Sequence, residues 1–276
     1  RGFETITFAR KGYIDHSDSM GAAARFGRGD VQWMTAGRGV VHSEMFPLLS
    51  PDGDNTVELF QIWMNLPAAD KMVEPHFTMF WDQDIPRHVH TDATGAATTV
   101  TVIAGRYEGH EPAAPPPASW ASRPEADAAI WHVAMAPGAT IELPPAAGDD
   151  TVRVLYVFEG SVQVDGEDAG KDLGVVVEPT SRVPLVAGPD GAEILVLQAR
   201  PIGEPVAQYG PFVMNTQQEI EQAFSDYRAT GFGGWPWDRN DPVHGGDAAR
   251  FARHSNGRME RPGLDPAQAD GAAKSS

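Results

Sequence analysis

Glycine and proline interrupt this chain about once in every five residues, with 29 glycines and 23 prolines among 276. An average soluble domain carries roughly one in eight. Glycine inside a helix costs backbone entropy, and proline there removes a hydrogen-bond donor and clashes with the preceding turn. The apolar runs left between these breaks are short, which confines the chain to brief extended segments joined by tight turns, an all-β architecture. Thr5–Ala9, Val31–Met34, Val57–Met64, Thr98–Ala104, Ile130–Ala134, Val152–Phe158, Ser161–Val164, Gly174–Glu178 and Ala192–Gln198 read as strands. Several alternate apolar with polar residues, as in Val57-Glu58-Leu59-Phe60-Gln61-Ile62-Trp63, the pattern of a strand with one buried face.

Two stretches break this rhythm. Residues 108–124 carry three consecutive prolines, Pro115 to Pro117, which a central strand cannot hold. They are expected to form an irregular crossover between an N-terminal barrel (1–107) and a C-terminal one (125–230). The second stretch is the one readable helix, expected over 216–229. Thr216 and Glu219 can form a capping box, Ile220, Ala223, Phe224 and Tyr227 fall on one stripe, and Gly231 ends it. Residues 231–276 show no period and are expected to form an irregular tail, with Trp235 and Trp237 docking on the body. The two halves also echo each other faintly. Phe8 to Gly12 and then Gly29 to Thr35 find counterparts in Phe158 to Gly160 and then Gly174 to Thr180. Such an echo suits a duplicated barrel.

Composition removes whole classes of function. There is no cysteine, hence no disulfide, thiolate metal site or cysteine nucleophile. A formal net charge of −17 opposes a grip on nucleic-acid phosphates. No apolar run approaches membrane-span length and no signal-peptide pattern is present, so a cytoplasmic protein, a monomer, is expected.

The chemistry concentrates in Asp30–Met45. Val40 and Val41 lead into His42-Ser43-Glu44, and in a strand His42 and Glu44 project to the same side. An imidazole and a carboxylate so placed form half of a divalent-metal site. The other histidines read differently. His16 is expected in a solvated turn, with the edge of the metal pocket as its alternative, His88 and His90 in a polar loop, and His76 as a structural histidine. His110, His132, His244 and His254 have no neighbour at ligand spacing. Trp33, Met34, Trp63 and Met64 are expected to pack between sheets.

These residues carry a resemblance. The Arg1-Gly2-Phe3-Glu4-Thr5 start, the run from Gly29 to Gly39, His42-Ser43-Glu44-Met45, Lys71-Met72-Val73-Glu74-Pro75 and Gln208 to Thr216 are similar to the pirin family of the cupin superfamily. The likeness extends over about residues 1 to 230 and implies two cupin-type β-barrels (a bicupin) with a short C-terminal helix. It implies three histidines and a glutamate around one divalent metal, Fe(II) first, with Mn, Co or Ni as alternatives. His42 and Glu44 match two of these ligands. The other two form a His-x-His pair immediately ahead of Arg1, outside this sequence, which leaves occupancy of the site in this chain open. Glu4 matches the glutamate of the general cupin motif and is expected beside the ligands. In the same register, the second barrel has Ala187 and Pro189 where the first has His42 and Glu44, and is expected to hold no metal. The resemblance implies a quercetin 2,3-dioxygenase-type oxidoreductase acting on a flavonol, with Glu44 as the proton acceptor. Its alternative is a metal-dependent, redox-sensitive module that binds a regulatory protein without turnover.

Overall fold

The computed structural model describes residues 1–263, and the end of the expected tail, 264–276, lies outside the described residues. The described residues form an all-β chain with one α-helix, and they divide into two compact units, one formed by Arg1–Gln83 with Glu204 onward, the other by Asp84–Gly203.

The first unit contains β1 (Phe3–Lys11), β2 (Tyr13–Asp18), β3 (Ala23–Gly27), β4 (Val31–Thr35), β5 (His42–Met45), β6 (Glu58–Asn65) and β7 (His76–Phe80). The second contains β8 (Arg87–Thr91), β9 (Ala97–Ala104), β10 (Ala129–Met135), β11 (Thr140–Leu143), β12 (Val152–Val164), β13 (Glu167–Gly170), β14 (Leu173–Val177) and β15 (Val183–Ala199). The chain then returns to the first unit with β16 (Ala207–Tyr209), β17 (Phe212–Met214), α1 (Gln217–Thr230), β18 (Phe251–Arg253) and β19 (Met259–Glu260).

The first unit sets a four-stranded sheet, β6-β1-β4-β7, against a five-stranded one, β19-β18-β3-β2-β5. Ile14 of β2, Ala24 and Phe26 of β3, Met34 of β4 and Phe77 and Met79 of β7 belong to one buried cluster. That cluster fixes the parity of each strand, because successive side chains alternate between faces. On β2, Ile14, His16 and Asp18 face inward, while Asp15 and Ser17 face outward. The second unit folds one eight-stranded sheet around its own core, with β12 and β15 long enough to pair with four strands between them on either side of their mutual pairing.

The expected strands fall within observed ones apart from single end residues at Val57 and Glu178, and α1 carries both halves of its capping box, with Gly231 in the left-handed region at its end. Three differences have local causes. Gly160 is not a turn between two strands but a bulged position inside the continuous β12, where the pairing register shifts on both sides. Its φ of +68° and the Gly191 carbonyl, which a Cβ would meet at 2.1 Å, both demand glycine. The proline-rich stretch is irregular, with short 3-10 turns at Trp120–Ser122 and Pro124–Ala126. It lies inside the second unit, though, and the units divide at 83/84 and 203/204 because β8 pairs with β9 and β9 with β10. The tail is ordered through residue 263. β18 pairs with β3, Ala252 opposite Ala24, and so extends the sheet of the first unit.

That addition is anchored by buried charge. Arg25 donates through Nε and Nη2 to the two carboxylate oxygens of Asp15, each at 2.6 Å, and both side chains are fully buried. Arg25 Nη2 also donates to the Gly245 carbonyl at 3.0 Å, and Nη1 to that of Asp247. Arg250 donates to the buried Asp30 at 2.6 Å. Removing one member of a buried bidentate pair strands the other charge away from water, at a cost of about 3–5 kcal/mol. Arg25→Ala should therefore lower the unfolding free energy by that order in a urea titration, and a loss under 1 kcal/mol would show that the pair is not isolated from solvent.

Candidate metal centre

β2 and β5 pair antiparallel with His16 opposite Glu44 and Asp18 opposite His42. Since His42 and Glu44 are two residues apart on one strand and His16 and Asp18 two apart on the other, all four side chains share the inner face. The ligand atoms of His16, His42 and Glu44 lie within 4.8 Å of one another. The two imidazole centroids are 5.5 Å apart.

Each donor is held by named partners. His16 Nε2 lies 3.2 Å from Asp18 Oδ2, while Oδ1 of Asp18 accepts from the amides of Met20 and Ala22. With the carboxylate accepting, Nε2 carries the ring proton and the Nδ1 lone pair stays open, the arrangement by which a carboxylate orients a metal-binding histidine. On the glutamate, Gln61 Nε2 donates to Oε2 at 3.0 Å and Thr7 Oγ1 to Oε1 at 3.5 Å. Trp63 Nε1 donates in turn to Gln61 Oε1 at 3.3 Å, and its ring lies 4.4 Å from that of Phe3.

The segment entering β5 is set by close approach. A Cβ on Gly39, whose φ is +131°, would lie 2.6 Å from the ring of Phe232, so only glycine lets the loop pass there. Ser19 ties the following residue down. Its amide donates to the Val41 carbonyl, and its hydroxyl accepts from the Val41 amide and donates to the Phe232 carbonyl.

The electrostatics are those of a site short of positive charge. Burial, helped by neighbouring His16, lowers the His42 pKa to about 4, and burial raises that of Glu44. Both shifts favour neutral forms where two imidazoles and a carboxylate meet. Moreover, Nδ1 of His16 and Nδ1 of His42 are buried without a hydrogen-bond partner. Buried polar nitrogens are rarely left so. Imidazoles with unpartnered nitrogens beside one carboxylate suit a mid-sized divalent cation, and the residues present fit such a group.

Several sequence expectations need correction here. His16 is not in a solvated turn; it is fully buried in β2 and faces the other donors. Glu4 does not accompany Glu44. β1 presents Thr7 to the site, and Glu4, of opposite parity, turns to the other face, where Thr35 Oγ1 donates to its Oε1 at 2.6 Å. Trp33 and Met34 are core residues, but Trp63 is 48% exposed. His88 and His90 sit on strand β8, not in a loop. Sequence reasoning missed Asp18, Thr7 and Gln61; the His-x-Asp alternation at 16 and 18 was the available signal for the first.

An all-β chain with imidazole and carboxylate donors on the inner face of one barrel and a second barrel after it is a cupin-type protein. Its relatives narrow the class. Residues 1–64 match the family described as Pirin, and residues 130–233 match the Pirin C-terminal cupin domain. A pirin-like protein of Caulobacter vibrioides is 39% identical over 229 residues, covering 83% of this chain and 76% of the relative. Human pirin is 31% identical over 238 residues, covering 83% and 74%. Among solved structures, a quercetin 2,3-dioxygenase from Acinetobacter baumannii aligns with a TM-score of 0.71 at 32% identity, covering 85% of this chain and 77% of that one. The chain belongs to the pirin family.

The lowered pKa of His42 has a signed consequence. Above pH 6.5 the histidine is neutral folded or unfolded. As pH falls from 6.5 toward 4, the unfolded chain takes up a proton that the folded one refuses, and stability declines. The full loss is about 3 kcal/mol. Urea titrations of metal-free protein between pH 7 and 4 should show this loss reduced in His42→Gln; an identical acid profile in the variant would refute the assignment.

Proposed function

We propose that this protein binds one divalent metal, Fe(II) before Mn, Co or Ni, in the first unit and acts as a quercetin 2,3-dioxygenase-type oxidoreductase on a flavonol-like substrate. The observation that carries the reading is the convergence of His16, His42 and Glu44, with two buried imidazole nitrogens left open. The name of the aligned Acinetobacter enzyme supports the substrate class. When bound, the metal would supply a Lewis-acid centre with open positions at which an enolic oxygen and dioxygen can be brought together.

The chain's own residues do the rest. His42 is neutral at physiological pH and so offers its lone pair without first losing a proton. Glu44 is the group to accept the substrate hydroxyl proton, because burial raises its basicity. Gln61 holds Oε2 of that carboxylate and leaves Oε1 with only the long contact to Thr7. Trp63, half exposed and hydrogen-bonded to Gln61, offers a ring surface beside the carboxylate.

Glu44→Gln keeps the shape and removes the negative charge, so metal content after equilibration with Fe(II) or Mn(II) should fall at least tenfold; unchanged content would remove Glu44 from the site. The metal-loaded wild type should consume oxygen in the presence of quercetin. Metal uptake without oxygen consumption would favour the metal-dependent regulatory module over the enzyme.

A further inference from the structure

The segment that follows residue 233 lies beyond the stretch matched by the Pirin C-terminal cupin domain, yet it folds back onto the strand that carries His16. It grips four consecutive residues of β2. The His244 amide donates to Asp15 Oδ2 at 2.7 Å. His244 Nε2 lies 2.9 Å from the His16 carbonyl and 3.1 Å from Ser17 Oγ. Trp237 Nε1 donates to the Asp18 carbonyl at 2.9 Å. A carbonyl can only accept, so His244 carries its proton on Nε2.

The grip is itself supported. The His244 ring stands between Trp237, at 6.0 Å, and Phe251, at 5.5 Å. Arg253 lies over Trp237 at 5.3 Å, and Arg25 donates to the carbonyls of Gly245 and Asp247. β18 adds a strand to the same sheet. The strap covers the outer face of β2 and β3, while His16 and Asp18 point the other way, toward His42 and Glu44. The Trp237 and His244 contacts therefore reach the candidate metal centre through the β2 backbone.

We propose that residues 235–253 form a strap that sets the position of His16 and Asp18 against His42, with His244 as the positioning residue, so that metal affinity depends on a hydrogen bond made on the far side of the strand. The proposal rests on the metal-centre reading above and adds a determinant to it. Loss of the His244 ring bond removes the strap's hold on His16 and Ser17 and leaves β2 gripped only at Asp15 and Asp18, on either side of them. Outer-shell partners of metal ligands typically change affinity 10- to 100-fold when removed.

The test uses the full chain with three substitutions. His244→Ala removes the ring donor, and His244→Gln keeps a side-chain N–H of similar reach. Trp235→Phe is the control, because Trp235 Nε1 donates only within the strap, to the Arg239 carbonyl. Mn(II) affinity is measured by calorimetry, the visible bands of the Co(II)-loaded protein by absorption, and amide exchange across β2 and β5 in the metal-free protein. His244→Ala should weaken Mn(II) binding about tenfold, shift the Co(II) bands and speed exchange at Ser17 and His42, with His244→Gln restoring most of each and Trp235→Phe changing none. Wild-type affinity and spectrum in His244→Ala would overturn the proposal, as would an equal loss in Trp235→Phe or a loss that glutamine does not restore. A wild-type chain that takes up neither ion overturns the metal-centre reading instead; the clamp on β2 is then judged by exchange alone, and falls if His244→Ala matches wild type.

Discussion

The register of β2 against β5 is the constraint on which the site depends. With His16 opposite Glu44 and Asp18 opposite His42, three donors and an orienting carboxylate fall on one face. A slip of β2 by one residue would send His16 and Asp18 to the other face, away from His42 and Glu44, and bring Asp15 and Ser17 inward. Nothing in β5 alone prevents that slip, since the strand has only four residues. The register is held instead at its ends, by Ser19 bound to both backbone groups of Val41 and to the carbonyl of Phe232.

A polar strand so deeply buried needs partners on both faces. Ile14 through Asp18 are all buried, and the outward members are satisfied by the Arg25 fork and the strap. The inward members are satisfied only in part, since the open nitrogens of His16 and His42 have no partner. Buried polar networks are tolerated when complete and costly when not. The contrast between a saturated outer face and an unsaturated inner one marks where a ligand belongs.

How much of this was legible in the sequence follows from the range of each interaction. The strands and α1 were legible because period, capping and glycine placement act over a few residues. His42 and Glu44 were legible because the donors lie two apart on one strand. His16 was not, because its role depends on a strand partner far along the chain, and Asp15-His16-Ser17-Asp18 has the composition of a turn. Only its two-sided burial makes it a strand. Glu4 misled for a related reason: motif spacing says nothing of which face a residue takes, and parity with Thr7 decided it. Of the tail from residue 234 only the docking of Trp237 was legible, because its order comes from contacts of Trp237, His244 and Arg250 with the body, not from any period of its own.

The discontinuity of the first unit bears on how the protein is made. Arg25 meets its last acceptors more than 200 residues later, at Gly245 and Asp247, with the whole second unit translated in between. The strands bearing His16, His42 and Glu44 precede the second unit in the chain, yet their sheet is completed by β18 and β19, which follow it. Contacts so distant in sequence are slow to close. Residues 84–203 can collapse on their own while the donor strands wait, and the sheet that carries those strands closes only once β18 has followed the second unit out.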